Sequence, residues 1–150
     1  MPIEMQYSKT AAELAETFEG CRLQSYPDIG GVWTIGYGHT SGVHPGMICT
    51  PQRAIEWLDA DMKIAAACVN RYVSVTLTQN EFDALCDFVF NLGCGDFARS
   101  TLLRLLNRGE YAEAANQFDL WDHCGGKVVA GLLRRREAEE ETFSDGLSTT

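Results

Sequence analysis

The sequence predicts an α+β fold, mostly helical, in which a small sheet-bearing N-terminal lobe is joined by a long helix to a helical C-terminal lobe. Three observations predict it. A glycine-rich stretch without helical period lies near the N-terminus, a long capped amphipathic segment follows, and the rest of the chain reads as successive helices. With 150 residues and 45% hydrophobic composition, the chain suits one compact domain with its own core. The expected division is a small lobe over about 8–50, a connecting helix over about 51–70 and a helical lobe over about 71–143.

Residues 8–18 set Ala11, Leu14, Ala15 and Phe18 on one helical face. Thr10 with Glu13 matches a capping box, and Gly20 is a C-terminal stop, so Glu19 falls at the helix end. Residues 28–42, DIGGVWTIGYGHTSG, are rich in glycine, β-branched and aromatic residues, which argues for short strands and tight turns. Thr50 and Pro51 then open the long helix as N-cap and first residue, and Ile55, Leu58, Met62, Ala65 and Val69 form its apolar stripe. Thr78 and Glu81 form a second capping box, flanked by Leu77 and Phe82 as a hydrophobic staple. That helix stops near Gly93. Shorter helices are expected over 101–108 and 110–121, and a final one over about 127–143, with 144–150 frayed.

The net charge of −9 and pI of about 4.7 argue against nucleic acid as a partner, because phosphate binding needs a concentrated basic surface. An anionic wall polymer stays compatible, since a local basic patch can sit on an acidic protein. No segment approaches the roughly 18–20 apolar residues of a membrane span, and residues 1–10 lack the basic flank and apolar run of a secretory signal. The expectation is a cytoplasmic protein that needs a separate device to reach any substrate beyond the membrane. The six cysteines, Cys21, Cys49, Cys68, Cys86, Cys94 and Cys124, include no CxxC pair, which argues against a zinc ribbon or thioredoxin-like site. In a reducing cytosol they read as buried free thiols; after export some pair, with fifteen complete pairings open. No metal or organic cofactor is implied, and the absence of a heptad signal leads to the expectation of a monomer.

Glu19 and Asp28 are the candidate chemistry. Glycosidic cleavage needs a proton for the leaving oxygen and a second carboxylate to handle water or the developing cation, in unlike environments. Glu19 ends an apolar helix face beside Phe18, a setting that favours the neutral acid, whereas Asp28 follows Pro27 in a polar turn. Each has a bland reading on its own: a solvated helix-end glutamate and a turn-forming aspartate.

The strings ETFEG, YPD and GVWTIGYGHT together resemble the signature of the phage-type lysozymes, the endolysin muramidases of T-even and lambdoid phages. The spacing Glu19, Asp28, Thr34 matches that family's catalytic Glu-Asp-Thr set, and FNLG at 90–93 and GLLRRREAE at 131–139 extend the likeness. The resemblance implies a muramidase that hydrolyses peptidoglycan glycan strands by inversion. Glu19 is then the general acid, Asp28 supports the attacking water, and Thr34 helps to place it. Phe90 and Asn91 match substrate-cleft positions, with core packing and a helix end as the alternatives. His39 matches a histidine that pairs with an aspartate on the long helix, here Asp61, as structural support; His44 and His123 read as surface residues. Trp33 and Tyr37 read as core with a possible cleft contact. Cys21, two residues past Glu19, is a candidate for redox control, because some phage lysozymes respond to thiol state. The missing N-terminal apolar anchor points to holin-dependent release.

Arg134, Arg135 and Arg136 read either as contacts to stem-peptide carboxylates or as partners of Glu137, Glu139, Glu140 and Glu141 on a solvated helix. Other functions stay open at this level: a lytic transglycosylase, a non-catalytic wall-binding protein, and a cysteine peptidase built on Cys124 and His123.

Overall fold

A computed structural model of the chain describes residues 3–124 and 126–148, and the side chains of all of these except 124 and 146–148. Helix α1 (Lys9–Glu19) leads into an antiparallel pair, β1 (Arg22–Pro27) and β2 (Trp33–Gly36), and then α2 (Pro51–Tyr72). The C-terminal lobe holds α3 (Gln79–Leu92), α4 (Cys94–Ala98), α5 (Thr101–Asn107), α6 (Tyr111–Ala115), a 3-10 turn (Phe118–Leu120) and a hairpin of β3 (His123–Cys124) and β4 (Lys127–Val128). Helix α7 (Ala130–Ser148) closes the fold.

The small lobe has a thin core of Ile35, Cys49 and Ala54. Its hairpin pairs Tyr26 with Thr34 and Pro27 with Trp33, and backbone bonds between Cys49 and Leu23 and between Ser25 and Met47 add a third extended stretch. β1 begins ahead of the expected 28–42 region. Its residues are mostly exposed, so no alternation marks it.

The helical lobe is organised around α3, which is buried without interruption from Glu81 to Val89 and packs on α1, α2 and α7. Three acids lie in that buried run, and each has partners. The Glu81 carboxylate accepts from the Thr78 N–H at 2.7 Å while the Thr78 hydroxyl accepts from the Glu81 N–H, the capping box expected from sequence. Asp83 accepts from the Ser8 N–H at 2.8 Å and from the Ser8 hydroxyl. Asp87 is held by Arg135. Because Asp83 recruits Ser8, that residue becomes the N-cap of α1, and the expected Thr10–Glu13 capping box does not form.

The long helix keeps its expected start, with the Thr50 hydroxyl accepting from the Arg53 N–H at 3.1 Å, and runs two residues past Asn70. Elsewhere the structure corrects the sequence reading. Region 110–121 breaks into α6 and the 3-10 turn, and α4 is an additional short helix. The final helix starts at Ala130 rather than near 127, because Gly126, at φ 81°, turns a hairpin that the Val129 N–H closes onto the Asp122 carbonyl at 2.8 Å. The stretch expected to fray is helical to Ser148, and Thr149 and Thr150 lie outside the described residues.

The cysteines divide between the free and the paired reading. Cys68 and Cys94 form a disulfide that ties α2 to α4 across a separation of 26 residues. Closing a loop of that size restricts the unfolded chain by about 3 kcal/mol in the chain-entropy account. Cys49 and Cys86 are free and buried, Cys21 is free and exposed, and the Cys124 side chain lies outside the described residues. Among the described residues no helix is long and apolar enough to cross a membrane.

Candidate active site

Glu19 is the last residue of α1 and reaches into a cleft of about 480 Å³ between the two lobes. Its side chain is 18% exposed, and its carboxyl packs on Gly38 of the small lobe. A Cβ at Gly38 would stand 2.6 Å from the Glu19 carboxyl carbon, so only glycine permits this approach. From the helical lobe, Arg135 Nη1 donates to Glu19 Oε2 at 2.6 Å. Glu19 is thus held by both lobes at once. The apolar helix-end setting read from sequence lacks this cation.

Asp28 lines the same cleft from the tip of the β1–β2 hairpin. One carboxylate oxygen, Oδ1, accepts from the Gly30 N–H at 2.9 Å and the Val32 N–H at 2.8 Å, which fixes the side chain to the turn. The turn-former reading is therefore correct for Oδ1, while Oδ2 has no such backbone bond. Thr34 sits on β2, buried, and its hydroxyl donates to the Val32 carbonyl at 2.8 Å. With its proton committed, that oxygen keeps acceptor capacity for a water.

Tyr26, which the sequence reading missed, pairs with Thr34 across the hairpin and feels both acids. Burial pushes its hydroxyl up, and the charges of Glu19 and then Asp28 add to this, against the Arg22 guanidinium lying 4.3 Å from its ring centre. Its place directly before Pro27-Asp28 was the available signal.

The two FNLG residues separate. Asn91 lines the cleft with Glu19 and Asp28, and its carbonyl oxygen is buried without a partner in the protein. Phe90 packs against the helical core and lines a separate hollow of about 200 Å³ together with Gly38 and Asp61. His39 Nδ1 lies 2.7 Å from Asp61 Oδ2, and its ring stacks on Trp57 at 4.6 Å, so the expected pair exists and braces the hairpin against α2. Tyr37 packs against both hydrophobic clusters, and His44 and His123 are exposed. Burial, then the neighbouring Cys21, raises the Tyr37 hydroxyl above its ordinary value.

The arginine run needs the largest correction. Arg135 and Arg136 are buried, and so is Glu139, so they are not partners on a solvated helix. Arg135 makes a forked pair with Asp87, Nε to Oδ2 at 2.9 Å and Nη2 to Oδ1 at 2.8 Å. Arg136 Nη2 donates to Glu139 Oε2 at 2.9 Å. Only Arg134 is exposed, and it lines the cleft. A roomier hollow of about 590 Å³ lies under the N-terminal segment, but its Asp59 is spent on Tyr7 and Lys63.

The phage lysozyme family model matches residues 16–139. An endolysin of Acyrthosiphon pisum secondary endosymbiont phage 1 is 39% identical over 143 residues, covering 93% of this chain and 98% of that protein. The endolysin of Bacillus phage PZA is 41% identical over 145 residues, 95% of this chain; the chain spans 56% of that longer protein. Among solved structures, the muramidase domain of SpmX from Asticaccaulis excentricus is 39% identical, superposes with a TM-score of 0.84, and is covered to 97%, with 92% of this chain aligned. The chain belongs to the phage lysozyme family, whose members are muramidase-type glycoside hydrolases.

Proposed function

We propose that this chain is an endolysin that hydrolyses the β-1,4 bond between N-acetylmuramic acid and N-acetylglucosamine in peptidoglycan, for host-cell lysis. The observation that carries the reading is the convergence of Glu19 and Asp28, from different elements, on one cleft that also holds Asn91 and Arg135. Glu19 donates its proton to the leaving glycosidic oxygen. Asp28, through the oxygen not bound to the turn, draws a proton from an attacking water on the opposite face of the sugar, and Thr34 helps to hold that water. Attack from the opposite face inverts the anomeric centre, which calls for carboxyl groups roughly 6.5–9.5 Å apart. Asn91 offers its unpartnered carbonyl to a sugar N–H or hydroxyl. The chain acts as a monomer, waits in the host cytoplasm and reaches periplasmic peptidoglycan after a holin opens the membrane.

The test is reducing-end release from purified Gram-negative peptidoglycan by the native chain and Glu19→Gln, each with and without reductant. The substitution keeps shape and removes the transferable proton. Release should fall by at least about 10²–10⁴-fold, the usual weight of a general acid, in a protein that still folds. Equal release by both proteins would remove Glu19 from the chemistry. Anhydro ends in place of reducing ends would identify a transglycosylase. A reductant effect on the native chain that Cys21→Ser abolishes would support redox control through Cys21, because the Cys68–Cys94 disulfide responds to reductant as well.

A further inference from the structure

We propose that Asp87, buried in α3 and outside the cleft, is a positioning residue for the reaction: it sets the place and charge of Glu19 through the guanidinium of Arg135. The proposal rests on Glu19 as the proton donor.

Arg135 uses all three donor nitrogens on two carboxylates. Two serve Asp87, at 2.9 and 2.8 Å, and one serves Glu19, at 2.6 Å. A planar fork fixed on one carboxylate has no freedom left in the direction of the third bond. The position of the Glu19 carboxyl is therefore dictated from inside the helical core, where Asp87 is 0% exposed. The electrostatic consequence is equally direct. Shared between two carboxylates, the Arg135 charge is largely answered by Asp87. Left with Glu19 alone, it would grip that group as an anion and oppose proton donation.

The surroundings of Asp87 keep it charged. Burial works against ionisation, but Arg135, a hydrogen bond from Glu139 and Arg136 overcome it and hold Asp87 below the usual carboxylate range. The bond between the Glu139 and Asp87 carboxyls needs one proton, and burial, followed by the bond and charge of Asp87, drives Glu139 well above its ordinary value. The ionisable groups acting on Asp87 are Arg135, Glu139 and Arg136, all on α7, and Glu19 on α1 is linked to it through Arg135. On α3 itself Cys86 is its titratable neighbour, and Tyr26 on β1 faces Glu19.

The experiment compares kcat, KM, the pH profile of kcat/KM and Tm for the native chain, Asp87→Asn and Glu19→Gln. Asp87→Asn should lower kcat at neutral pH by about tenfold with KM little changed. It should also move the limb reporting the proton donor to lower pH by about one unit, the same tenfold change read as a protonation equilibrium. A lowered Tm with kcat and both limbs unmoved would make Asp87 merely structural and overturn the proposal. If Glu19→Gln stays active, the fault lies with the donor assignment instead. Where Asp87→Asn does not fold, carboxyl 13C titration of the native chain decides. Asp87 should stay ionised across the range in which Glu19 titrates, and a protonated Asp87 in that range would overturn the proposal.

Discussion

The two lobes solve different problems with different amounts of core. The small lobe closes on Ile35, Cys49 and Ala54 and leaves Ile29, Val32 and Ile48 in solvent, yet it carries Asp28 and Thr34. The helical lobe buries a continuous apolar cluster and, inside it, the ionisable side chains Asp87, Arg135, Arg136 and Glu139. Asp28 and Thr34 sit on the thin lobe, whereas Glu19 ends a helix packed on the thick one, where the apparatus that aims it is anchored. A buried ion pair adds little net stability and fixes geometry well, so it belongs where the surroundings can carry its desolvation.

Core truncation should show this division most strongly. Phe88 packs edge-on against Phe97, Phe118 and Trp121, and Arg136 lies 5.2 Å from its ring centre. Phe88→Ala should cost about 3–5 kcal/mol in denaturant unfolding, with activity per folded molecule largely kept. Ile35→Ala, beside Thr34 in the small core, should lie near the lower end of the roughly 2–5 kcal/mol range for aliphatic truncation and should lose activity per folded molecule as well. If both variants lose activity only in proportion to unfolding, the lobes do not divide the labour in this way.

Gly38 is the sharpest point of contact between the lobes. At φ 75°, its α-carbon has open backbone freedom that alanine lacks, and an added Cβ would meet the Glu19 carboxyl at 2.6 Å. The obstructed atoms end a flexible side chain, so Gly38→Ala should fold, at a cost of about 1–2 kcal/mol. The displaced carboxyl should lose about 10²-fold in kcat, the scale of a 1 Å misplacement. Retained kcat with a lowered Tm would show that Gly38 serves the turn and not the acid.

The legibility of the sequence follows the same boundary. Local signals were readable: the Thr78–Glu81 box, the Thr50-Pro51 start, and the glycine-rich frame around Asp28 and Thr34. What depended on distant partners was not. Thr10 and Glu13 offered a capping box, but Asp83, 75 residues from Ser8, took the helix start. The Arg134, Arg135, Arg136 run looked like a solvated face because nothing nearby in sequence tells that Asp87, 48 residues before Arg135, waits in the core. The Cys68–Cys94 pair was one of many open pairings for the same reason. The resemblance supplied Glu19, Asp28 and Thr34; the Arg135 grip on Glu19 needed three dimensions.

The smallest expected effect tests whether the buried acids of the helical lobe form a closed set. Glu140 lies one residue beyond Glu139 and turns away from the cluster toward Asp119. Burial, then the hydrogen bond to Asp119 and its charge, push Glu140 up to about 7. The folded chain therefore binds a proton there more tightly than the unfolded chain, whose glutamate titrates near 4.5. That contribution is complete below about 4.5 and fades as pH rises through about 7. Solvent reaches this site, so screening should keep the effect below about 1 kcal/mol. Glu140→Gln mimics the protonated form and should flatten the fall of Tm between those two pH values, while leaving the pH profile of activity in place. If its Tm curve runs parallel to that of the native chain, Glu140 does not carry the linkage. If the activity profile moves instead, the helical lobe's outer acids communicate with Glu19, and the separation between the core cluster and its surroundings fails.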